Sequence, residues 1–183
     1  MGNKIYTIGR EFGSGGKEVG EKLAARLGIK LYDKELLQQA AKDSGFCEEI
    51  FENHDERPTN SFLYSLVMDT YSVSGYSSAP FLDMPLNHKV FLAQFDTIKK
   101  IAERESCVIV GRCADYALAE NPDCINIFIH ADMDFRIKRV TKDLDITENK
   151  AKDYIQKQDK QRASYYNYYT SKKWGDSKSY HLT

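Results

Sequence analysis

The stretch from Lys4 to Leu27 constrains this chain more than any other part of it. A short apolar run, Ile5 to Ile8, stops at Gly9, and Gly13-Ser14-Gly15-Gly16-Lys17 follows a few residues later. Val19, Leu23, Ala24 and Leu27 then recur at helical spacing until Gly28 ends the pattern. Strand, glycine loop and helix in that order form the opening unit of an α/β sheet. A loop this rich in glycine lets successive backbone N–H groups turn inward on an anion, and the helix aims its positive end at the same point. The alternative is a glycine-rich strand-to-helix turn without a ligand.

The remaining pattern alternates strands and helices. Ile29 to Tyr32 is a second strand, and Asp33 is placed to cap a helix through Leu36, Leu37 and Ala41. The span 47–87 differs: it is polar, holds Pro58, Pro80 and Pro85, and includes a serine-rich run, with one helix through Phe62, Leu63, Leu66 and Val67. It reads as a mobile insertion or lobe, not as core. A helix over 89–104, the continuous apolar run Cys107 to Val110, a short helix through Tyr116 and Leu118, and a strand from Cys124 to Ile129 come next. Asp132 or Asp134 caps another helix, a long polar helix runs from Thr147 to Tyr166, and Ser179 to Thr183 is a last strand candidate. Apolar strands without alternation predict a parallel sheet of about five strands covered on both faces. Ligands bind at the carboxyl ends of such strands, where Gly9–Lys17 and Gly111-Arg112 both lie.

At 183 residues this is one domain. Its 26 Lys and Arg against 27 Asp and Glu argue against a nucleic-acid-coating surface, so an anionic ligand needs a local convergence of cations. Arg10, Lys17, Arg112, Arg136, Arg139 and Arg162 are the expected set, with acidic residues mainly elsewhere; a solvated helix face is the competing reading for Arg136, Arg139 and Arg162. Cys47, Cys107, Cys113 and Cys124 have no metal-ligand or disulfide spacing. With no apolar run of about 20 residues and no leader pattern, a cytoplasmic protein without membrane contact is expected.

Measured against G-x-x-x-x-G-K-[ST], the loop departs in either register. If Lys17 is the lysine, Glu11 and Glu18 stand at the leading glycine and the hydroxyl positions. If Gly-Ser-Gly sets the register, Gly16 and Lys17 replace the lysine and the hydroxyl. A magnesium ion would then be met by Ser14 or by water.

From Ile8 to Lys17, Leu31 to Leu36, Val108 to Arg112, Phe135 to Arg139, Asp159 to Tyr166, Trp174-Gly175 and Tyr180-His181, the chain resembles the cytidylate kinase-like family over nearly its whole length. The resemblance implies a three-layer P-loop kinase fold with a helical acceptor-binding insertion (47–87) and a lid (132–175). It also implies ATP and Mg2+ as cofactors and nucleotide substrates. Gly13, Ser14, Gly15, Gly16 and Lys17 would hold the donor phosphates. Arg10, Asp33, Arg112, Asp115 and Asp159 would serve the acceptor side, and Lys17, Arg136, Arg139 and Arg162 would act in catalysis. A helix following the last strand would be expected in relatives.

Cys113 stands where cytidylate kinases have the aspartate of Gly-Arg-Asp, which leaves Asp115 as a substitute. The run Tyr165, Tyr166, Tyr168, Tyr169 can stack a base, pack in the core, or form a homodimer contact. Three functions are consistent with these residues: transfer of phosphate from ATP to a nucleoside monophosphate, cytidylate first; a small-metabolite kinase of the same fold, as in dephospho-coenzyme A or shikimate kinases; and a non-catalytic nucleotide-binding module.

Overall fold

The computed structural model describes residues 2–57 and 84–183. The serine-rich run and the helix expected through Phe62 to Val67 lie outside the described residues. In chain order the elements are β1 (Ile5–Arg10), α1 (Gly16–Leu27), β2 (Lys30–Tyr32), α2 (Lys34–Ser44), α3 (Glu48–His54), α4 (Leu86–Arg104), β3 (Cys107–Val110), α5 (Ala114–Ala117), β4 (Cys124–Ile129), α6 (Met133–Leu144) and α7 (Glu148–Thr170). A short 3-10 turn, Ser177–Ser179, follows.

The sheet is parallel, in the order β2-β3-β1-β4. β3 explains why its sequence is apolar without alternation, since all four of its residues are buried. Cys107 and Ile109 join Leu36, Ile98 and Ile101 on the α2 and α4 face. Val108 and Val110 join Ile8 and Ala24 on the α1 face. This three-layer arrangement is the expected α/β fold, with four strands among the described residues instead of about five. Beyond the 3-10 turn the expected fifth strand makes one parallel bridge, Ile127 to Leu182. His181 Nδ1 accepts the Asn126 N–H at 2.8 Å, taking a donor that a strand carbonyl would otherwise use.

Adjacent strands β1 and β3 send their connections to opposite sides: β1 leads to β2, β3 leads across to β4. The crevice of such a sheet falls between those two strands, where Arg10 and Gly111-Arg112 emerge. α7 crosses this edge. Its first half packs Ala151 and Ile155 against Val140 of α6 and Phe12; its second half packs Tyr165, Tyr166 and Tyr169 with Phe91 and Cys113. The tyrosine run is thus core packing, with Tyr169 stacked on Phe91 at 3.9 Å between ring centroids.

Ile109 is fully buried at the sheet centre. Ile109→Ala is expected to lower unfolding free energy by about 2–5 kcal/mol, read as an earlier midpoint in urea with an unchanged slope.

Candidate active site

Three strand ends and two helices meet at the β1/β3 crevice around two carboxylates from the turn after α3. Glu56 Oε1 accepts from Arg10 NH1 at 2.6 Å and from the Arg112 backbone N–H at 3.2 Å, while Oε2 accepts from Arg162 Nε at 3.1 Å. Asp55 takes the Arg112 guanidinium with both oxygens, at 3.0 Å from Nε and 2.9 Å from NH2. Arg112 NH1 donates to Asp33 Oδ1 at 3.3 Å and to the Val110 carbonyl at 3.1 Å, so four of the five donors of this buried side chain are engaged. Lys17 Nζ lies 3.2 Å from Asp33 Oδ2.

The electrostatics follow from the crowding. Burial opposes ionisation of Glu56, yet Arg10, Arg162 and Arg112 outweigh it and hold the carboxyl well below its usual range. Burial pushes Asp55 upward against the pull of Arg112, and Glu56 adds to the rise. Asp33, opposed by its burial, is still lowered by Arg112 and Lys17. Burial and the neighbouring Arg10 depress Arg162. Backbone strain concentrates here too: Glu56, Arg112 and Cys113 have φ of 49, 55 and 55°, a left-handed region that L-residues rarely occupy. Gly111 (φ 76°) has no room for a side chain, since a Cβ would lie 2.0 Å from Arg10 NH1 and 2.4 Å from Glu56 Oε1.

The glycine loop lies beside this cluster. Gly13 and Gly15 have φ of 76 and 86°, and Gly15 caps α1. The amides of Gly16, Lys17 and Glu18 open the helix, where no carbonyl one turn back can accept them. A Cβ on Gly15 would sit 3.4 Å from Arg139 NH1. A groove of about 370 Å³ runs along the loop, with Arg10, Lys17, Arg139 and Arg162 in its walls beside Glu11, Glu18, Asp33 and Asp143. These features fit a chain of phosphates. They do not supply a metal seat from the protein: the Ser14 hydroxyl is buried and bonded to the Glu11 carbonyl at 2.9 Å. Among the described residues no trio of His, Cys, Asp or Glu is placed to hold a metal.

The expected cations therefore come together, but not all in the expected roles. Arg10, Lys17, Arg112 and Arg162 share the carboxylates at the crevice, and Arg139 reaches the loop while pairing with Glu18 at 2.9 Å. Arg136 sits beneath the loop, where it donates to the Phe12 carbonyl at 2.8 Å and pairs with Glu11 and Asp159. Asp159 also accepts the Phe12 N–H at 2.8 Å, so both residues brace the loop instead of facing a substrate. Asp115 lines the same crevice as Arg10, Arg112 and Arg162 but gives its carboxylate to the Tyr166 hydroxyl at 2.6 Å and pairs with none of these three arginines. Neither Asp33 nor Asp132 caps its helix with its side chain; Asp33 is drawn to Lys17 and Arg112. The expectation that acidic residues lie elsewhere is overturned by Asp33, Asp55 and Glu56.

A sequence model described as the cytidylate kinase-like family matches residues 5–183. The chain belongs to the cytidylate kinase-like family. Among solved structures it is similar to an uncharacterized protein from Eubacterium ventriosum ATCC 27560, with 35% identity over 98% of this chain and 86% of that one and a TM-score of 0.71. Shikimate kinase from Bacteroides thetaiotaomicron is similar in fold, at 14% identity over 98% of this chain and 84% of that one, with a TM-score of 0.52. No curated protein matches the chain.

Within this cytidylate kinase-like protein, Cys113 is buried among Phe91, Tyr165 and Tyr169 and gives the crevice a buried thiol. A larger open depression, about 1030 Å³, lies away from the glycine loop along β2 and α2; Lys30, Lys42, Glu35 and Glu48 line it without converging charge. Asp55 and Glu56 are the site residues that sequence reasoning missed. No motif carries them, and a pair of acids after a short helix looks like solvated surface.

Because Glu56 is ionised more easily here than in the unfolded chain, its contribution to stability is present above the ordinary glutamate value and is lost as pH falls below about 4.3. Glu56→Gln is expected to cost about 3 kcal/mol at pH 7 by stranding buried arginines. Urea midpoints from pH 7 to pH 3 should show the gap between wild type and variant closing as the medium becomes acid. A constant gap would contradict the ion-pair account.

Proposed function

We propose that this protein transfers a phosphoryl group from ATP to a nucleoside monophosphate, with cytidylate as the leading acceptor. The observation that carries the reading is the meeting of a glycine loop at the start of α1 with arginines from β1, the β3 exit, α6 and α7 at one crevice. Phosphoryl transfer asks little covalent chemistry of a protein; it needs positioning and neutralisation of charge on the moving group. In this reading the amides of Gly16 to Glu18, with Lys17 and Arg139, hold the donor phosphates. Arg10, Arg112 and Arg162 hold the acceptor phosphate beside Asp33. Mg2+, carried on the donor phosphates, would supply further neutralisation of their charge. Ser14 is turned away from that task, so the ion's remaining contacts would be water.

A small-metabolite acceptor is the second reading, and Cys113 favours it, because the carboxylate that serves the acceptor nucleoside in cytidylate kinases is missing. A panel of nucleoside monophosphates and small hydroxylated metabolites, each with ATP and Mg2+, separates the two. Fastest turnover is expected with CMP. Transfer to none of the nucleotides would overturn the first reading, whatever the metabolites do.

Arg139 is partly exposed, so its removal leaves the core alone. Arg139→Ala is expected to lower kcat on the order of 100-fold with an unchanged thermal melt; full activity in that variant would remove it from the donor side.

A further inference from the structure

We propose that the turn Asp55–Glu56 is an internal surrogate for phosphate: its two carboxylates fill the anion seats on Arg10, Arg112 and Arg162, and a phosphorylated ligand enters by displacing them. This rests on the reading of the crevice as a phosphate site, and it assigns that site a self-occupied resting state.

The geometry of Arg112 is the first support. A planar guanidinium presents two parallel N–H bonds to a carboxylate or a phosphate alike, and Asp55 takes that paired face with both oxygens. Glu56 supplies the second. Its carboxylate gathers donors from β1, from the β3 exit and from α7, a convergence of separate elements on one anion. The third is space. Behind Glu56, the cavity walled by Arg10, Arg112, Arg162, Asp115 and Tyr166 measures about 20 Å³, room for one water molecule, whereas the groove along the glycine loop is open. The donor side is thus accessible while the acceptor side is filled by the chain itself.

Charge balance points the same way. With the turn in place, Asp33, Asp55 and Glu56 face Arg10, Lys17, Arg112 and Arg162. With the turn withdrawn, Asp33 stays on Lys17 and Arg112 and Asp115 stays bonded to Tyr166, and the uncovered charge of the four cations suits a dianionic phosphate. The turn can be displaced without unfolding its support. Phe51 stays fixed in α3 among Leu37, Ala40, Ala41 and Val90, whereas Glu56 holds a left-handed backbone that its ion pairs must sustain.

The test uses the full chain and inorganic pyrophosphate, by calorimetry and by amide hydrogen exchange over residues 48–57. Asp55→Asn and Glu56→Gln each weaken the internal competitor, so each is expected to bind pyrophosphate about tenfold more tightly than wild type. In wild type, saturating pyrophosphate is expected to speed exchange of the 48–57 segment about fivefold. Equal or weaker binding in both variants overturns the proposal, as does a segment that stays protected with ligand bound, or pyrophosphate that binds neither wild type nor variants. If Glu56→Gln fails to fold, Asp55→Asn, whose side chain is one quarter exposed, carries the binding arm alone. Neither measurement involves turnover. A protein that passes both and transfers no phosphate keeps the surrogate and loses the kinase reading; the converse result separates them equally.

Discussion

Glu56 is the anion on which the crevice is organised. Arg10, Arg112 and Arg162 come from three elements far apart in sequence, and without a shared counter-ion their mutual repulsion in a water-poor site would drive them apart. Glu56 touches all three, two through their guanidinium groups and one through its backbone N–H. The requirement explains Gly111, which leaves space for the carboxylate and for Arg10. It also gives a physical reason for left-handed backbone at Glu56, Arg112 and Cys113, since such strain persists only where surrounding contacts over-determine it.

The glycine loop has a separate support. Phe12 offers its carbonyl to Arg136 and its N–H to Asp159, and the two side chains pair with each other. One residue at the mouth of the loop is therefore clamped between α6 and α7. Gly13 must then pass close to α6, where a Cβ would lie 2.8 Å from Val140. The loop is held in shape from below and left open above, the condition for backbone amides to meet an anion without rearranging.

Much of this was legible in the sequence, and the exceptions share a cause. The apolar run of β3, the periodicity of α1 and the glycines all reflect local rules, so β1, β3, β4, α1 and the loop fall where the pattern places them, whereas the last strand candidate makes a single bridge and α3 carries a buried Phe51 in a span read as outside the core. The cations were identifiable as residue types that phosphate chemistry needs. What escaped was every feature decided by a partner distant in sequence. Asp33 satisfies the local rule for a helix cap, yet two cations brought by tertiary structure take its carboxylate. Asp115 looked available until Tyr166, 51 residues away, claimed it. The Asp55–Glu56 pair has no local pattern, because its partners are separated from it by 46 to 106 residues.

α7 shows how closely core and site are joined. Ile155, Asp159, Arg162, Tyr166 and Tyr169 follow one another at spacings of four and three, which puts them on one helix face. Its ends are apolar and aromatic, and its middle is charged. An ordinary core would not accept that middle. Here Asp159 meets Phe12 and Arg136, and Arg162 meets Glu56 and the Arg10 carbonyl. The stripe therefore reads as weakly amphipathic although most of it is covered. The same continuity limits what a lid over 132–175 could do. Moving that span as one body would separate Tyr169 from Phe91 and Tyr165 from Gln94, exposing aromatic surface to water.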